Sequence, residues 1–437
     1  MRDFRQVLHR LQAFQNKFEG LLASARRREA PDQAAPAGRP SRLRELTRFG
    51  ANPGNLRMFA HAPEHLPPNA PLVIALHGCT QTADEYDQGT GWSVLADQLG
   101  FAVIYPQQQP TNNPKNCFSW FLPDDAVRGS GEALSIRQMV EHAIATLAVD
   151  RRKVFVTGLS AGGAMASVML ATYPEIFAGG AIIAGLPYGC AGNVQQAFEA
   201  MFTEQEHAAQ VLGDRVRAAS SHRGPWPKIS VWHGTSDPIV KPVNSKEIVR
   251  QWIDVHGLSD KASYQQMIGN HTRCVWSDAT GEALIEAFSI SNMAHGVPLA
   301  TTGSQCCGAA GAFFLDAGIS STHHIARFWH LHESLGEMPY AEEPAFTPLQ
   351  IPTDGAALLT GNAAAGSPSS VEASFAENTQ GEGWQTRYPV DPNAVIAAAF
   401  KAAGLAVPED PKARPGKTPR VAPAPIIAAA FKIAGLE

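Results

Sequence analysis

Short apolar runs alternate with stretches of helical periodicity between Leu46 and Leu335, and this alternation limits the fold more than any other feature of the chain. A buried parallel strand reads as an uninterrupted apolar run, because both faces of its sheet are covered. Six runs have this character: Leu72–Leu76, Phe101–Tyr105, Val154–Thr157, Ala181–Ala184, Ile229–Trp232 and Leu284–Ile290. Helices are predicted at Ala133–Leu147, Ala161–Tyr173, Asn244–His256 and Thr322–Leu335. The pattern predicts a single α/β domain over residues 46–335, a mostly parallel sheet with helices on both faces.

The N-terminal residues 1–45 have a different pattern. Apolar residues from Phe4 to Leu22 recur at helical spacing, so we expect an amphipathic helix, followed by a polar linker. In most proteins such a stripe docks on its own domain, and in the others it contacts a partner or a lipid or polymer surface. Residues 336–390, beyond the α/β domain, are rich in small and polar residues and predict a disordered linker.

Residues 391–437 contain an internal repeat. The segment VIAAAFKAAGL at Val395–Leu405 returns as IIAAAFKIAGL at Ile426–Leu436. Each copy predicts a short helix that ends at a glycine, and helices of this length are marginal alone in water. Two interpretations therefore stay open. The tail is either disordered with helical tendency, or it docks both copies on a polymer granule or a protein partner.

Charge and hydropathy exclude several classes of protein. The net charge is -5, which argues against a nucleic-acid binder. No apolar run approaches the ~18 residues of a membrane-spanning helix. Charged residues from Arg2 to Arg10 interrupt any apolar core of a secretory signal, so the default expectation is a cytoplasmic protein.

The strongest local motif is GLSAG at Gly158–Gly162, directly after a predicted strand and directly before a predicted helix. A serine hydroxyl is a weak nucleophile, and it needs exposure, an adjacent base and stabilisation of the oxyanion that it generates. A tight strand-to-helix turn supplies the exposure, and flanking glycines remove side chains that would clash there. Ser160 is therefore the candidate nucleophile.

An acid and a histidine follow Ser160 in the order that an α/β-hydrolase requires. Asp237 lies in the loop after Ile229–Trp232, and His295 lies in the loop after Leu284–Ile290. The carboxyl ends of parallel strands meet at one edge of the sheet, which is where open α/β sheets build their sites. We therefore expect Ser160, Asp237 and His295 to form a catalytic triad.

An oxyanion hole needs two backbone amides. One comes from the residue after the nucleophile, Ala161, and the other from the loop after an early strand, where Cys79 offers its N–H. His77 in that loop is expected to support the turn, because no partner at a suitable spacing makes it a metal ligand. Neither a metal nor an organic cofactor is required by this chemistry.

Five motifs together resemble the polyhydroxybutyrate depolymerase family of serine esterases. They are HGCTQ at His77–Gln81, GLSAGG at Gly158–Gly163, AGLPYG at Ala184–Gly189, VWHGTSD at Val231–Asp237 and AHG at Ala294–Gly296. The resemblance extends over about residues 46–335. It implies a triad of Ser160, Asp237 and His295, an oxyanion amide at Cys79, and a 3-hydroxybutyrate polyester or its oligomers as substrate.

The resemblance also implies a disulfide between Cys79 and Cys117, which would fix the oxyanion loop. Phe118 stands where many members of the family have tryptophan. Four further cysteines have no assigned partner: Cys190, Cys274, Cys306 and Cys307. A disulfide seldom persists in the cytosol, so the resemblance favours an extracellular protein and conflicts with the missing secretory signal.

Aromatic residues near the predicted site have two interpretations. Trp120, in the long loop that follows Phe101–Tyr105, and Tyr188, after the fourth strand, are candidate walls for an acyl chain, or they belong to the core. Two other functions stay open as well. One is an esterase that releases acetyl or feruloyl groups from polysaccharide, and the other is a granule- or partner-binding protein that acts through its terminal helices.

Overall fold

A ten-stranded sheet contains all six predicted strands in the computed structural model, which describes residues 13, 16–24 and 40–331. The strands of this sheet are β1 Arg44–Leu46, β2 Arg57–His61, β3 Ala70–Leu76, β4 Ala102–Gln107, β5 Val149–Leu159, β6 Gly179–Ile183, β7 Lys228–Gly234, β8 Tyr264–Ile268, β9 His271–Ser277 and β10 Ala283–Ile290. Their spatial order is β1-β2-β4-β3-β5-β6-β7-β10-β9-β8. The fold is thus the predicted α/β class.

The six central strands are parallel, and antiparallel pairs extend the sheet at both edges. Neighbours from β4 through β3, β5, β6 and β7 to β10 pair in parallel, whereas β1, β2, β8 and β9 pair antiparallel. Every residue of β3, β4 and β6 is buried, as expected for strands covered on both faces. The carboxyl ends of all six parallel strands therefore lie at one edge of the sheet.

Helices cover the two faces of the sheet. Those with defined bounds are α2 Ala83–Thr90, α3 Trp92–Leu99, α4 Pro123–Ala126, α5 Gly131–Thr146, α6 Ala161–Thr172, α7 Val194–Phe202, α8 Ala209–Ala218, α9 Val243–His256 and α10 Ser321–Phe328. All residues of α6 are buried, because AGGAMASVMLAT has no charged side chain to place in solvent. Among the described residues, no helix has the length and apolar character needed to cross a bilayer.

The N-terminal helix, α1, includes residues 16–24 and lies against α7. Phe18 meets Phe198 edge-on at 5.9 Å between ring centroids, and Leu22 is buried. Glu19 pairs with Lys115 at 3.6 Å. Within residues 16–24, the apolar side chains Phe18, Leu21 and Leu22 thus pack on the chain's own α/β domain. The predicted linker at 336–390 and the repeats within 391–437 lie outside the described residues.

Several elements differ from the sequence prediction. The edge strands β1, β2, β8 and β9 are not apolar runs, because one face of each is open to solvent and their polar residues interrupt the pattern. A short parallel pair, β11 Val297–Leu299 and β12 Phe314–Asp316, follows the main sheet.

Helix α10 ends at Phe328, whereas the sequence predicts a helix to Leu335. His330 adopts a left-handed conformation with φ of 58°, which stops the helix. Trp329 stacks on Phe155 at 4.8 Å and on Trp92 at 5.9 Å, so packing of this side chain fixes the end of the helix. Residues 332–335 lie outside the described range.

Candidate active site

Ser160 occupies a sharp turn between β5 and α6. Its backbone has φ of 57° and ψ of -116°, a strained conformation for a residue with a side chain. The turn is held on both sides, because the Ser160 amide donates to the Ile183 carbonyl at 2.9 Å and the Ala164 amide donates to the Ser160 carbonyl at 2.8 Å. This geometry is that of a nucleophile at a strand-to-helix turn.

Close backbone approach explains the glycines around Ser160. A Cβ on Gly162 would lie 2.3 Å from the Leu76 carbonyl oxygen and 2.4 Å from that of His77. A Cβ on Gly158 would lie 2.4 Å from the carbonyl carbon of Gly162. The first turn of α6 therefore packs directly on the end of β3, which sets the oxyanion loop beside the serine.

Asp237 and His295 are in direct contact. The Nδ1–H of His295 donates to Oδ2 of Asp237 at 2.7 Å, and both side chains are almost fully buried. The other carboxylate oxygen, Oδ1, accepts from the amides of Ile239 at 2.8 Å and Val240 at 2.9 Å. Since Nδ1 is bound to the carboxylate, Nε2 is the nitrogen of His295 that can exchange a proton with a substrate or nucleophile.

The carboxyl of Asp237 is held in its ionised form. Burial by itself raises the pKa of a carboxyl, but the charge of His295, its hydrogen bond and the nearby N–H of His233 outweigh burial, and the pKa of Asp237 lies well below its usual range. A carboxylate in this state can orient the imidazole and stabilise its protonated form.

The loops that carry Asp237 and His295 are locked together. The Ser236 amide donates to the Met293 carbonyl at 3.0 Å, and the Asn292 amide donates to Oγ1 of Thr235 at 2.8 Å. A Cβ on Gly234 would lie 2.2 Å from the Met293 carbonyl oxygen, so only glycine permits this approach. Because β7 and β10 are neighbours, the fold supplies the contact between acid and histidine.

The oxyanion loop is closed by the expected disulfide, which joins Cys79 to Cys117. The Thr80 amide also donates to the Lys115 carbonyl at 2.6 Å. Within the described chain the Cys79 amide makes no hydrogen bond, and Ala161 is the first residue of α6, where an N–H has no intrahelical acceptor. Both amides are thus available to an anionic oxygen.

His77 supports the oxyanion loop. Its Nδ1–H donates to the Gly78 carbonyl at 2.7 Å, and its Nε2 accepts from the Gln108 amide at 3.1 Å. Burial lowers the pKa of His77 to about 4, so the ring is neutral with its hydrogen on Nδ1. No group of three or more metal-ligating side chains occurs in the described residues.

A buried carboxyl that the sequence analysis missed organises the loop after β4. The two oxygens of Glu132 accept from Nε2 of Gln108 at 2.5 Å and from the Ser119 amide at 2.8 Å. Burial, with a contribution from the charge of Asp125, raises the pKa of Glu132 to about 8. The sequence signal was a glutamate in the first turn of a largely apolar helix. A fully buried histidine next to Asp237, His233, was also missed.

Trp120 and Tyr188 follow β4 and β6, at the same edge of the sheet as Ser160. Trp120 is buried and meets Phe121 edge-on at 5.3 Å. Tyr188 is half-buried, and its backbone is tied to Gln251 by two hydrogen bonds, at 2.9 and 3.0 Å. These are packing contacts, and a role in binding substrate remains a prediction for both residues.

A polar cavity of about 400 Å³ lies between the Tyr188 loop and helices α7, α8 and α9. Charged and amide groups line it, including Glu199, His207, Arg215 and Glu247. An acyl chain would be bound by apolar walls, so this cavity is not suited to one.

The thiols outside the disulfide are free. Cys190, Cys274, Cys306 and Cys307 have no disulfide partner in the described chain. Burial raises the pKa of Cys190 to about 12 and that of Cys307 to about 11, which makes both poor nucleophiles.

The sheet order and the turn at Ser160 place this chain in the α/β-hydrolase class. The sequence model of the family described as "Esterase PHB depolymerase" matches residues 61–274. Poly(3-hydroxyalkanoate) depolymerase C of Paucimonas lemoignei is 47% identical over 289 residues, covering 66% of this chain and 70% of that protein. The chain therefore belongs to the PHB depolymerase family of esterases and is a serine hydrolase acting on carboxylic esters.

Two further relatives are esterases named for other substrates. An acetylxylan esterase of Coprinopsis cinerea is 36% identical over 280 residues, covering 61% of this chain and 72% of that protein. Feruloyl esterase B of Talaromyces stipitatus is 32% identical over 272 residues, covering 59% and 72%. In structure, the acetyl xylan esterase from Aspergillus awamori is similar with a TM-score of 0.54 and 28% identity, covering 58% of this chain and 93% of that one.

Proposed function

We propose that the protein hydrolyses 3-hydroxybutyrate polyester or its oligomers through a triad of Ser160, His295 and Asp237. One observation carries the catalytic part, which is the 2.7 Å contact between the buried carboxylate of Asp237 and Nδ1 of His295. Sequence similarity carries the substrate, since the relative named as a polyester depolymerase is 47% identical and the relatives named as xylan and feruloyl esterases are 36% and 32% identical.

In the acylation step, Oγ of Ser160 attacks the ester carbonyl while Nε2 of His295 takes the hydroxyl proton. Asp237 stabilises the imidazolium that forms. The amides of Cys79 and Ala161 donate to the tetrahedral oxyanion. His295 then protonates the leaving alkoxide, and an acyl group remains on Ser160.

Deacylation repeats the cycle with water. His295 takes a proton from the water as the water attacks the acyl-enzyme, and the proton returns to Ser160 when the acid leaves. No metal or organic cofactor takes part in the proposed steps. Trp120 and Tyr188 are proposed to flank the bound acyl chain.

The first experiment compares the wild-type protein with the Ser160→Ala variant on p-nitrophenyl butyrate. We expect kcat/KM to fall at least ~10³-fold. Ser245→Ala is the matched control, because this hydroxyl on α9 only donates to the carbonyl of Pro242, the residue before the helix, and the variant should keep full activity. Retention of turnover by Ser160→Ala would reject the proposed nucleophile.

A substrate panel then separates the polyester from the polysaccharide function. We expect turnover of hydroxybutyrate trimers and tetramers to exceed that of acetylated xylan and methyl ferulate. The reverse preference would favour a second candidate function, the release of acetyl or feruloyl groups from polysaccharide. The similarity of this chain to the acetyl xylan esterase structure supports that candidate.

An oxidising location outside the cytosol is proposed from the Cys79–Cys117 bond, since structural disulfides seldom persist in the cytosol. Cell fractionation followed by mass spectrometry of alkylated peptides tests it. Recovery of the protein mainly in the cytosol, with both thiols alkylated, would contradict this location.

The repeats in residues 391–437 are proposed to attach the enzyme to polymer or to a protein partner. Removing these residues should lower hydrolysis of polymer granules and leave turnover of p-nitrophenyl butyrate unchanged. Equal loss on both substrates would argue instead for a role of the tail in folding.

A further inference from the structure

Asp237 has a second histidine beside it. His233 is the sixth residue of β7, lies four positions before Asp237, and is 2% exposed. Its Nε2 is 2.9 Å from the Val240 carbonyl oxygen and 3.2 Å from Oδ2 of Asp237. The carboxylate oxygen that accepts from His295 therefore also faces a nitrogen of His233.

The surroundings define the tautomer of His233. A carbonyl oxygen only accepts, so Nε2 carries the hydrogen that points to Val240. Nδ1 is buried and has no hydrogen-bond partner within the described residues. A hydrogen on Nδ1 would be a buried donor without an acceptor, which is costly, so the ring carries its hydrogen on Nε2 alone.

This hydrogen bond completes a closed turn around the carboxylate. The Val240 peptide is held on both sides, because its amide donates to Oδ1 of Asp237 at 2.9 Å and its carbonyl accepts from His233. The Ile239 amide adds a second donor to Oδ1. Rotation of the Asp237 side chain would break both amide contacts to Oδ1 together.

We propose that His233 is a positioning residue that fixes the Asp237 carboxylate for its contact with His295. The N–H of His233 donates to the Val240 carbonyl and so holds the turn whose amides donate to Oδ1. The same N–H lies 3.2 Å from Oδ2, where its positive end attracts the negative charge of the carboxylate. This inference rests on the proposed triad. It gives a catalytic reason for the histidine of VWHGTSD, to which the sequence pattern assigned no role.

The test compares His233→Leu with His233→Gln on p-nitrophenyl butyrate. Leucine fills the space but has no donor, and a misplaced carboxylate should lower kcat about 10- to 100-fold with little change in KM. The glutamine Nε2 reaches about the position of the imidazole Nε2, so His233→Gln should recover most of the wild-type kcat.

His256→Leu is the matched control. His256 is a half-buried histidine, and its Nε2 lies 3.1 Å from the backbone carbonyl of Pro227, away from Asp237 and His295 in the hydrogen-bond network. Both leucine variants should lose thermal stability, but only His233→Leu should lose kcat. If His233→Leu does not fold, His233→Asn takes its place, since its amide is too short to reach Val240.

Two results would overturn the inference: an unchanged kcat in the folded donorless variant, or equal kcat values for His233→Leu and His233→Gln. Failure of the triad itself is recognised separately, because Ser160→Ala would then retain activity. An inactive Ser160→Ala together with an unaffected His233→Leu rejects only the role of His233.

Discussion

Cys79 and Cys117 are covalently joined although they are 38 positions apart, and the bond ties the oxyanion loop to the segment that Glu132 organises. Hydrogen bonds reinforce the same connection, since the Thr80 amide donates to the Lys115 carbonyl at 2.6 Å. The loop after β3, which carries the Cys79 amide, is thus held in place by the loop after β4 through one covalent bond and one hydrogen bond.

Replacing both cysteines with serine should lower the free energy of unfolding by about 2–4 kcal/mol, the usual range for a loop of this size. Turnover should fall on the order of 10-fold, because the Cys79 amide loses its fixed position. Urea unfolding and kcat measured on one preparation test both effects. Cys306→Ser, at an exposed free thiol, is the control and should change neither quantity.

Asp237→Asn should lower kcat about 10³- to 10⁴-fold, because an amide in place of the carboxylate no longer holds the His295 tautomer or stabilises its cation. Steady-state kinetics on p-nitrophenyl butyrate measure this loss. Asp214→Asn, at an exposed acid on α8, is the matched control and should keep wild-type kcat. An Asp237→Asn variant within 10-fold of wild type would exclude this acid from the triad.

Glu132 makes stability depend on pH. The pKa of its carboxyl is raised to about 8 from an ordinary value of 4.5, so between these values the folded state binds a proton that the unfolded state has released. Stability from this group is therefore present at low pH and decreases as pH rises from about 4.5 to 8. Glu132→Gln removes the titration.

The free energy of unfolding of the wild type should therefore decrease relative to that of Glu132→Gln as pH rises from 5 to 8. The wild-type carboxyl is neutral at pH 5 and loses its proton towards pH 8, whereas the glutamine amide faces Gln108 and Ser119 in the same neutral form throughout. Melting temperatures of both proteins across this range measure the effect. A constant difference would show that Glu132 has the same protonation state in the folded and unfolded chains.

Gly162→Ala should damage the site through backbone displacement. The new methyl group would lie 2.3 Å from the Leu76 carbonyl oxygen, so α6 must move away from the oxyanion loop. We expect a loss of about 1–3 kcal/mol in stability, although alanine favours helices, together with a lower kcat. Gly192→Ala is the control, since its nearest neighbour is the end of a glutamine side chain at 3.4 Å.

The sequence predicted the parts of the fold whose pattern is local. Strands such as β3 and β6 are buried on both faces, so they appear in the sequence as apolar runs. Such a run can be recognised without knowing which strands lie beside it. In β8 the burial alternates along Tyr264–Ile268, and its two glutamines interrupt the apolar pattern by which a strand is recognised. This strand depends on its antiparallel pairing with β9. Edge strands of this kind depend on long-range contacts.

The same distinction applies to the site. Chain order and strand topology were sufficient to propose that Asp237 and His295 meet, because their loops follow neighbouring parallel strands. The contacts of His233 depend on the side-chain conformation of a tight turn, and those of Glu132 depend on two distant loops. Neither arrangement leaves a spacing pattern, so both residues required the structure.

The positions of the site residues on the sheet have a consequence for how ester preference can change. Ser160, Asp237 and His295 each follow the end of a parallel strand by at most five residues, and glycines or backbone contacts fix their loops. Segment 108–122 carries Trp120 but also Cys117 and Lys115, which hold the oxyanion loop. Segment 184–208 carries Tyr188 and none of these contacts, so exchange of this segment between esterases is a route to new substrates that leaves the bond-breaking machinery intact.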